Sequence, residues 1–89
     1  MISTYNIYLI SDSTGETLDR IFSALKAQFN NFEHNVFHYS FSRTENQILK
    51  IIEDAEKKED SIILYTVVDN KLAKYLSQEA NKKKNSLFW

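Results

Sequence analysis

The sequence contains no cysteine, no proline and a single glycine in 89 residues. Without cysteine it has no disulfide framework, no thiolate nucleophile and no zinc–thiolate site. Without proline, and with glycine confined to Gly15, most turns must be made by Asn, Asp and Ser. Charge of one sign is not in excess either: 11 basic residues stand against 12 acidic ones, for a net charge of −1. A general nucleic-acid binder or an anionic-membrane binder needs a basic surplus, so neither partner is expected. No apolar run approaches the ~20 residues of a membrane-spanning helix. Met1–Tyr5 places no basic residue ahead of an apolar stretch, as a signal peptide would. The expected compartment is the cytoplasm.

What is present suits a small folded unit. Hydrophobic residues make up 43% and aromatics 13%, too apolar for a disordered tail. A chain of this size can bury about two-thirds of its extended surface, which is enough for one core with little margin.

The apolar pattern alternates between two periods. Tyr5–Ser11 (YNIYLIS) predicts a first strand, and Asp12–Gly15 a turn. From Glu16, Leu18, Ile21, Phe22, Leu25 and Phe29 recur at three and four, one face of a helix ending near Asn30–Asn31. Asn35–Phe41 predicts a second strand, with Phe37, Tyr39 and Phe41 on one face and Val36, His38 and Ser40 on the other. Ser42-Arg43-Thr44-Glu45 has the form of a capping box with Ser42 at its head. The helix after it turns Ile48, Leu49, Ile51, Ile52 and Ala55 inward and frays over Glu56–Asp60.

Ser61–Val68 (SIILYTVV) is nearly continuous apolar chain, as in a parallel strand buried on both faces. Asp69 can cap a third helix carrying Leu72, Ala73, Leu76 and Ala80 on one side, and Ser86–Trp89 begins a fourth strand. The expected fold class is therefore α/β, a three-layer βαβαβα arrangement with a mostly parallel sheet, truncated at the start of that fourth strand. Residues 1–89 read as a single N-terminal α/β domain or fragment of a larger protein. The first and third helices could cover one face and the second helix the other; the pattern leaves this and the strand order open.

Ligands of open α/β sheets bind beyond the carboxyl ends of the strands. Ser11–Thr17, Ser42–Thr44 and Val68–Asn70 lie there. In Ser11-Asp12-Ser13-Thr14-Gly15-Glu16-Thr17, a helix N-terminus follows a strand, so free amides and the helix dipole favour an anion. Ser13, Thr14 and Thr17 add hydroxyls, and Gly15 lets the backbone approach a phosphate. Asp12 can accept a proton from a hydroxyl or hold a metal through oxygen; Asp12 and Glu16 oppose a bare phosphate. The other reading is plain capping, since Ser13-x-x-Glu16 is itself a capping box.

IYLISDSTGET, with a helix running into ALKAQF, resembles the N-terminus of the pyruvate, phosphate dikinase and phosphoenolpyruvate synthetase regulatory proteins. SIILYTVVDNKLAKYLSQEA is similar to that family's third strand and following helix. The resemblance implies a bifunctional serine/threonine kinase and pyrophosphorylase. Such an enzyme transfers a phosphoryl group from ADP to a threonine of the dikinase or synthetase, and removes it with phosphate as the attacking group, releasing pyrophosphate. A phosphohistidine near the target threonine matters for the kinase direction. ADP and phosphate are the implied ligands, and the target enzyme the implied partner. Carried onto this chain, the motif makes Ser11, Ser13, Thr14, Gly15 and Thr17 candidates for phosphate or substrate binding and Asp12 the candidate catalytic group.

The family's glycine-rich G-x-S-R-T-x-K-T nucleotide loop belongs to the later half of a longer chain and has no match here. The Ser-Arg-Thr string Ser42–Thr44 has neither the preceding glycine nor the following lysine. The alternative function is accordingly a truncated, non-catalytic α/β module that binds phosphate or a partner.

Other residues carry less. Arg43 either faces the same cleft, where it would pair with an anion, or is a solvated helix-start arginine. His34 and His38 are four apart on a strand, ~13 Å, too far to share a metal, so both read as structural or surface groups and no metal site is expected. Asp12 and Asp69 resemble half of a receiver domain's acidic pocket, without its second leading acid. Lys82–Lys84 reads as a solvated helix end, and the aromatics as core. Phe88 and Trp89, if exposed, would favour association.

Overall fold

The structure is a computed structural model, and it describes residues 4–28, 33–58 and 60–82 together with the backbone of 86–88. The elements alternate as expected: β1 (Thr4–Ser11), α1 (Glu16–Gln28), β2 (Glu33–Tyr39), α2 (Glu45–Glu56), β3 (Ser61–Thr66), α3 (Asn70–Lys82) and β4 (Ser86–Phe88). The sheet is parallel in every pairing, in the order β2-β1-β3-β4. In register, Tyr8 stands between Phe37 and Ile63, and Leu9 between His38 and Leu64. The fold is thus the α/β class read from the sequence.

Both faces of the sheet are covered. On one, Leu18 and Phe22 of α1 pack on Ile7, Leu9 and Leu64. On the other, Ile48, Ile51, Ile52 and Ala55 of α2 join Leu72, Leu76 and Ala80 of α3 over Tyr8, Ile10 and Ile63. So α2 and α3 share a face and α1 has the other, unlike the sequence-based suggestion that α1 and α3 lie together. The strand order explains this. The step from β1 to β2 runs one way along the sheet, and the steps to β3 and β4 run the other. Crossovers of one hand then put α1 on one side and both later helices on the opposite side.

Three local expectations are corrected. First, α2 is capped by Thr44 with Gln47, not by Ser42 with Glu45: the Gln47 amide donates to the Thr44 hydroxyl and the Gln47 side chain accepts from the Thr44 amide. Ser42 is buried, its hydroxyl donating to the Tyr39 carbonyl. Second, β2 ends at Tyr39 rather than Phe41, and β3 at Thr66 rather than Val68. Phe41 has left the strand in the left-handed region, at φ 56°, and is half exposed. Third, α1 buries Leu18 and Phe22 but leaves Ile21 39% and Leu25 40% exposed. Its apolar stripe is wider than the surface one helix can reach when it is the sole cover on its side. Phe29 and the helix end at Asn30–Asn31, Lys83, Lys84 and the side chains of Phe88 and Trp89 lie outside the described residues.

The far end of α2 carries a polar contact against the core. The Tyr8 hydroxyl donates to Asp54 Oδ2 at 2.8 Å, and Lys58 Nζ bonds the same oxygen at 2.8 Å. Lys58 also lies over the rings of Tyr8 and Phe37, 5.7 and 5.0 Å from their centroids. The bonds from Lys58 and then Tyr8 hold the Asp54 carboxyl below its ordinary value. A carboxylate whose pKa falls on folding stabilises the native state above its unfolded pKa, and that contribution disappears as pH drops through the lower, folded value. Tyr8→Phe should therefore cost ~1 kcal/mol at pH 7 and less at acid pH, as the Asp54 carboxyl becomes protonated. Urea melts of both proteins at pH 7 and at acid pH check this; an equal gap at both would refute the assignment.

Candidate functional site

The loops after β1, β2 and β3 meet at the carboxyl ends of the strands and are tied to one another. The amide of Phe41 donates to the Ser13 carbonyl at 3.0 Å and that of Ser42 to the Ser11 carbonyl at 2.9 Å. The Ser40 hydroxyl donates to the Thr14 carbonyl at 3.0 Å. Across the other side, the Asp12 carboxylate accepts from the Val68 amide at 2.8 Å, and the Ser11 and Thr66 hydroxyls are 3.4 Å apart.

Within Ser11–Thr17 the residues divide by exposure. Ser11 is 2% exposed. Its hydroxyl accepts from the Ser13 amide at 3.1 Å and lies 3.3 Å from the Ser13 hydroxyl, so it organises the loop from inside. Ser13, Thr14, Glu16 and Thr17 are exposed, Asp12 and Gly15 half-buried. Gly15 has φ +85°, and its carbonyl accepts the first helical bond, from Asp19. It therefore occupies the N-cap position, where a residue without a side chain caps nothing. The alternative Ser13–Glu16 capping box does not form, because the left-handed turn at Gly15 starts the helix two residues after Ser13. Among the described residues no protein group bonds the amides of Glu16, Thr17 and Leu18. They are the orphan donors that a helix N-terminus offers to an anion.

Arg43 reaches this corner. Its Nε donates to the Asp12 carbonyl at 2.9 Å, and its guanidinium lies 5.0 Å from the centre of the Phe41 ring. Val68, 84% exposed, stands beyond Asp12. Asp69 caps α3 by accepting from the Leu72 amide at 2.9 Å, and the Asp12 carboxylate accepts from the Val68 amide, so each acid is engaged by a backbone amide of the β3–α3 region.

The point between β1 and β3 where the strand order reverses, at which such sheets bind ligands, is bridged by Asp12. The opening lies one strand over, between β1, β2 and the start of α1. It encloses about 190 Å³ open to solvent, lined by Ser11, Thr14, Gly15, Asp19, His38 and Ser40 among others. Sequence reasoning missed Asp19, His38 and Ser40. The alternation of β2 does place His38 and Ser40 on one face, but only the crossing of α1 brings Asp19 to them. Among the described residues no group of three or more His, Cys, Asp or Glu could hold a metal, and no helix is long and apolar enough to cross a membrane.

Fold and corner together define an open α/β protein with a polar corner at the strand ends, beside the uncapped start of α1. Residues 7–88 match the kinase/pyrophosphorylase family model. The chain is 57% identical over 88 residues to a protein of Pelagibacter ubique (strain HTCC1062) named pyruvate, phosphate dikinase regulatory protein, covering 99% of this chain and 32% of that relative. Proteins of the same name from Geotalea uraniireducens (strain Rf4) and Geobacter metallireducens (strain ATCC 53774 / DSM 7210 / GS-15) are each 44% identical, over 84% and 88% of this chain and 28% and 29% of theirs. The chain belongs to the kinase/pyrophosphorylase family, and it spans about a third of the length of these relatives.

Proposed function

We propose that this chain carries the phosphate-handling corner of a cytoplasmic enzyme that regulates pyruvate, phosphate dikinase or phosphoenolpyruvate synthetase. In one direction the terminal phosphoryl group of ADP passes to a threonine hydroxyl of the target, AMP leaves, and the threonine proton must be accepted. In the other, phosphate attacks the phosphothreonine phosphorus, the bond to the threonine oxygen breaks, that oxygen takes up a proton, and pyrophosphate is the product. Phosphoryl transfer of this kind depends on positioning and charge stabilisation. The Glu16–Leu18 amides, with the hydroxyls of Ser13, Thr14 and Thr17, would cradle the phosphoryl oxygens. Gly15 admits them to the backbone, Ser11 keeps the loop in shape, and Arg43 offsets the carboxylates nearby. Asp12 would orient the acceptor hydroxyl. The observation that carries the reading is the uncapped, open start of α1 beside three exposed hydroxyls in a chain of this family.

A second reading, a phosphate- or partner-binding module without catalysis of its own, is favoured by the sequence, which has Gly15 as its one glycine and so no glycine-rich nucleotide loop. One experiment separates the two. The chain is melted with inorganic phosphate, followed by amide NMR, and incubated with dikinase and ADP while phosphothreonine is measured. Phosphate at 100 times its Kd should raise the melting temperature by roughly 10–20 °C and move the Glu16–Leu18 amide signals. Phosphothreonine formation supports the enzyme, binding without it the module, and no response to phosphate overturns both.

A further inference from the structure

Among the described residues α1 is the one helix on its side of the sheet, while α2 and α3 share the other. Four strands make a sheet roughly 19 Å wide, and one helix covers roughly 10 Å of it. The uncovered part can be located. α1 packs on β1 and β3, and its β2 side is occupied: Asp19 Oδ1 lies 3.1 Å from His38 Nδ1, and the Phe22 ring meets His34 edge-on. Ile21 stands about 160° around the helix from Asp19, on the flank turned to β3. Leu25, one turn on, shares that flank, and both are exposed. Beside them on the sheet, Ile62 of β3 packs on the same cluster and is only partly buried. An apolar groove therefore runs between α1 and the β4 edge of the sheet.

We propose that this groove seats an amphipathic helix from the part of the family's polypeptide that this chain does not span. The inference goes beyond the phosphate-binding reading and does not depend on it. The matched region is 32% of the Pelagibacter ubique relative, so about two-thirds of the family's chain is available to supply the helix. The strand order says that the cover comes from a remote segment. A right-handed step from β1 towards β4 leaves its helix on the side of α2 and α3, so extending the sheet past β4 in the same way does not fill the groove. A segment that returns across the sheet does. Area disfavours a second copy of this chain. Ile21, Leu25 and Ile62 fall far short of the ~800 Å² per partner that a stable dimer buries, whereas a tethered segment docks at a high effective concentration and needs less. The helix lies roughly 8–10 Å from α1 and turns one apolar stripe to Ile21, Leu25 and Ile62, with its polar face to water.

Because the chain has no cysteine, single cysteines report on the groove. Ile21→Cys and Leu25→Cys are compared with Ser23→Cys, which is exposed on the opposite flank of α1. Each is made in this chain and in a chimera where this chain replaces the matched region of the Pelagibacter ubique relative. Maleimide labelling is followed by peptide mass spectrometry. In this chain all three should label at similar rates. In the chimera Ile21→Cys and Leu25→Cys should label at least ~tenfold more slowly, as buried thiols do, with Ser23→Cys unchanged. If the chimera does not fold, cysteines at the aligned positions of the relative itself make the same comparison. Equal labelling of all three in the full-length protein, fast or slow, overturns the inference. So does protection of Ile21→Cys and Leu25→Cys in this chain alone that grows with concentration beside a dimer in sedimentation, which would put a second copy in the groove. Neither result bears on phosphate binding at the strand ends.

Discussion

Ile52→Ala should leave little of the chain folded at 37 °C. Ile52 is 0% exposed, on the face where α2 meets α3 over Tyr8, Ile10 and Ile63. Removing a buried isoleucine to Cβ loses its transfer free energy and leaves a cavity, together about 2–5 kcal/mol. A chain of this length has roughly 4–13 kcal/mol in total, so one substitution takes a large share. The melting temperature should drop by roughly 10–30 °C, read by circular dichroism. The informative control is Ile21→Ala. Helical spacing alone puts Ile21 on the inner face of α1, but the structure leaves it 39% exposed, so its loss should cost under ~1 kcal/mol. Comparable losses at the two positions would mean that the described packing of α1 is wrong.

The second large effect belongs to Asp12, and two variants divide its roles. Asp12→Ala removes the acceptor for the Val68 amide and unlinks the β1 and β3 loops. It should cost ~1–2 kcal/mol and blur the Ser13–Thr17 amide signals, with phosphate binding weakened at least tenfold because the orphan donors lose their common aim. Asp12→Asn keeps a side-chain oxygen for Val68 while discarding the negative charge. If Asp12 only shapes the corner, Asn should preserve stability and bind phosphate as well as or better than the parent, since a repulsive charge has gone. If Asp12 also accepts the threonine proton, phosphothreonine formation in a full-length relative carrying the same change should fall by 10²-fold or more while phosphate binding persists. Unchanged transfer would remove Asp12 from the chemistry.

Much of the fold could be read from the chain because its signals are local. The change from period two to period three-and-four at Glu16 marks α1, the continuous apolar run at Ser61 marks a buried parallel strand, and Asp69 caps α3 as read. The errors are of another kind. Ser42 and Thr44 both look like N-caps in isolation, and the choice fell to the residue whose partner was free, since Ser42 is drawn beneath the sheet edge by the Ser11 carbonyl and bonds Tyr39. Phe41 continues the alternation of β2 in sequence, yet the tie from its amide to Ser13 turns it out of the strand.

The sequence by itself determined an alternating α/β chain, the position of its one glycine at a strand-to-helix turn, and the family signature around that turn, all properties of neighbouring residues. The tertiary structure alone decided that α2 and α3 share a face, that Asp12 closes the junction between β1 and β3, and that His38 meets Asp19 beside the open amides of α1. Those outcomes depend on strand order and helix crossing. Such long-range geometry is set by which apolar faces can be buried at once, and no local pattern in the chain encodes it.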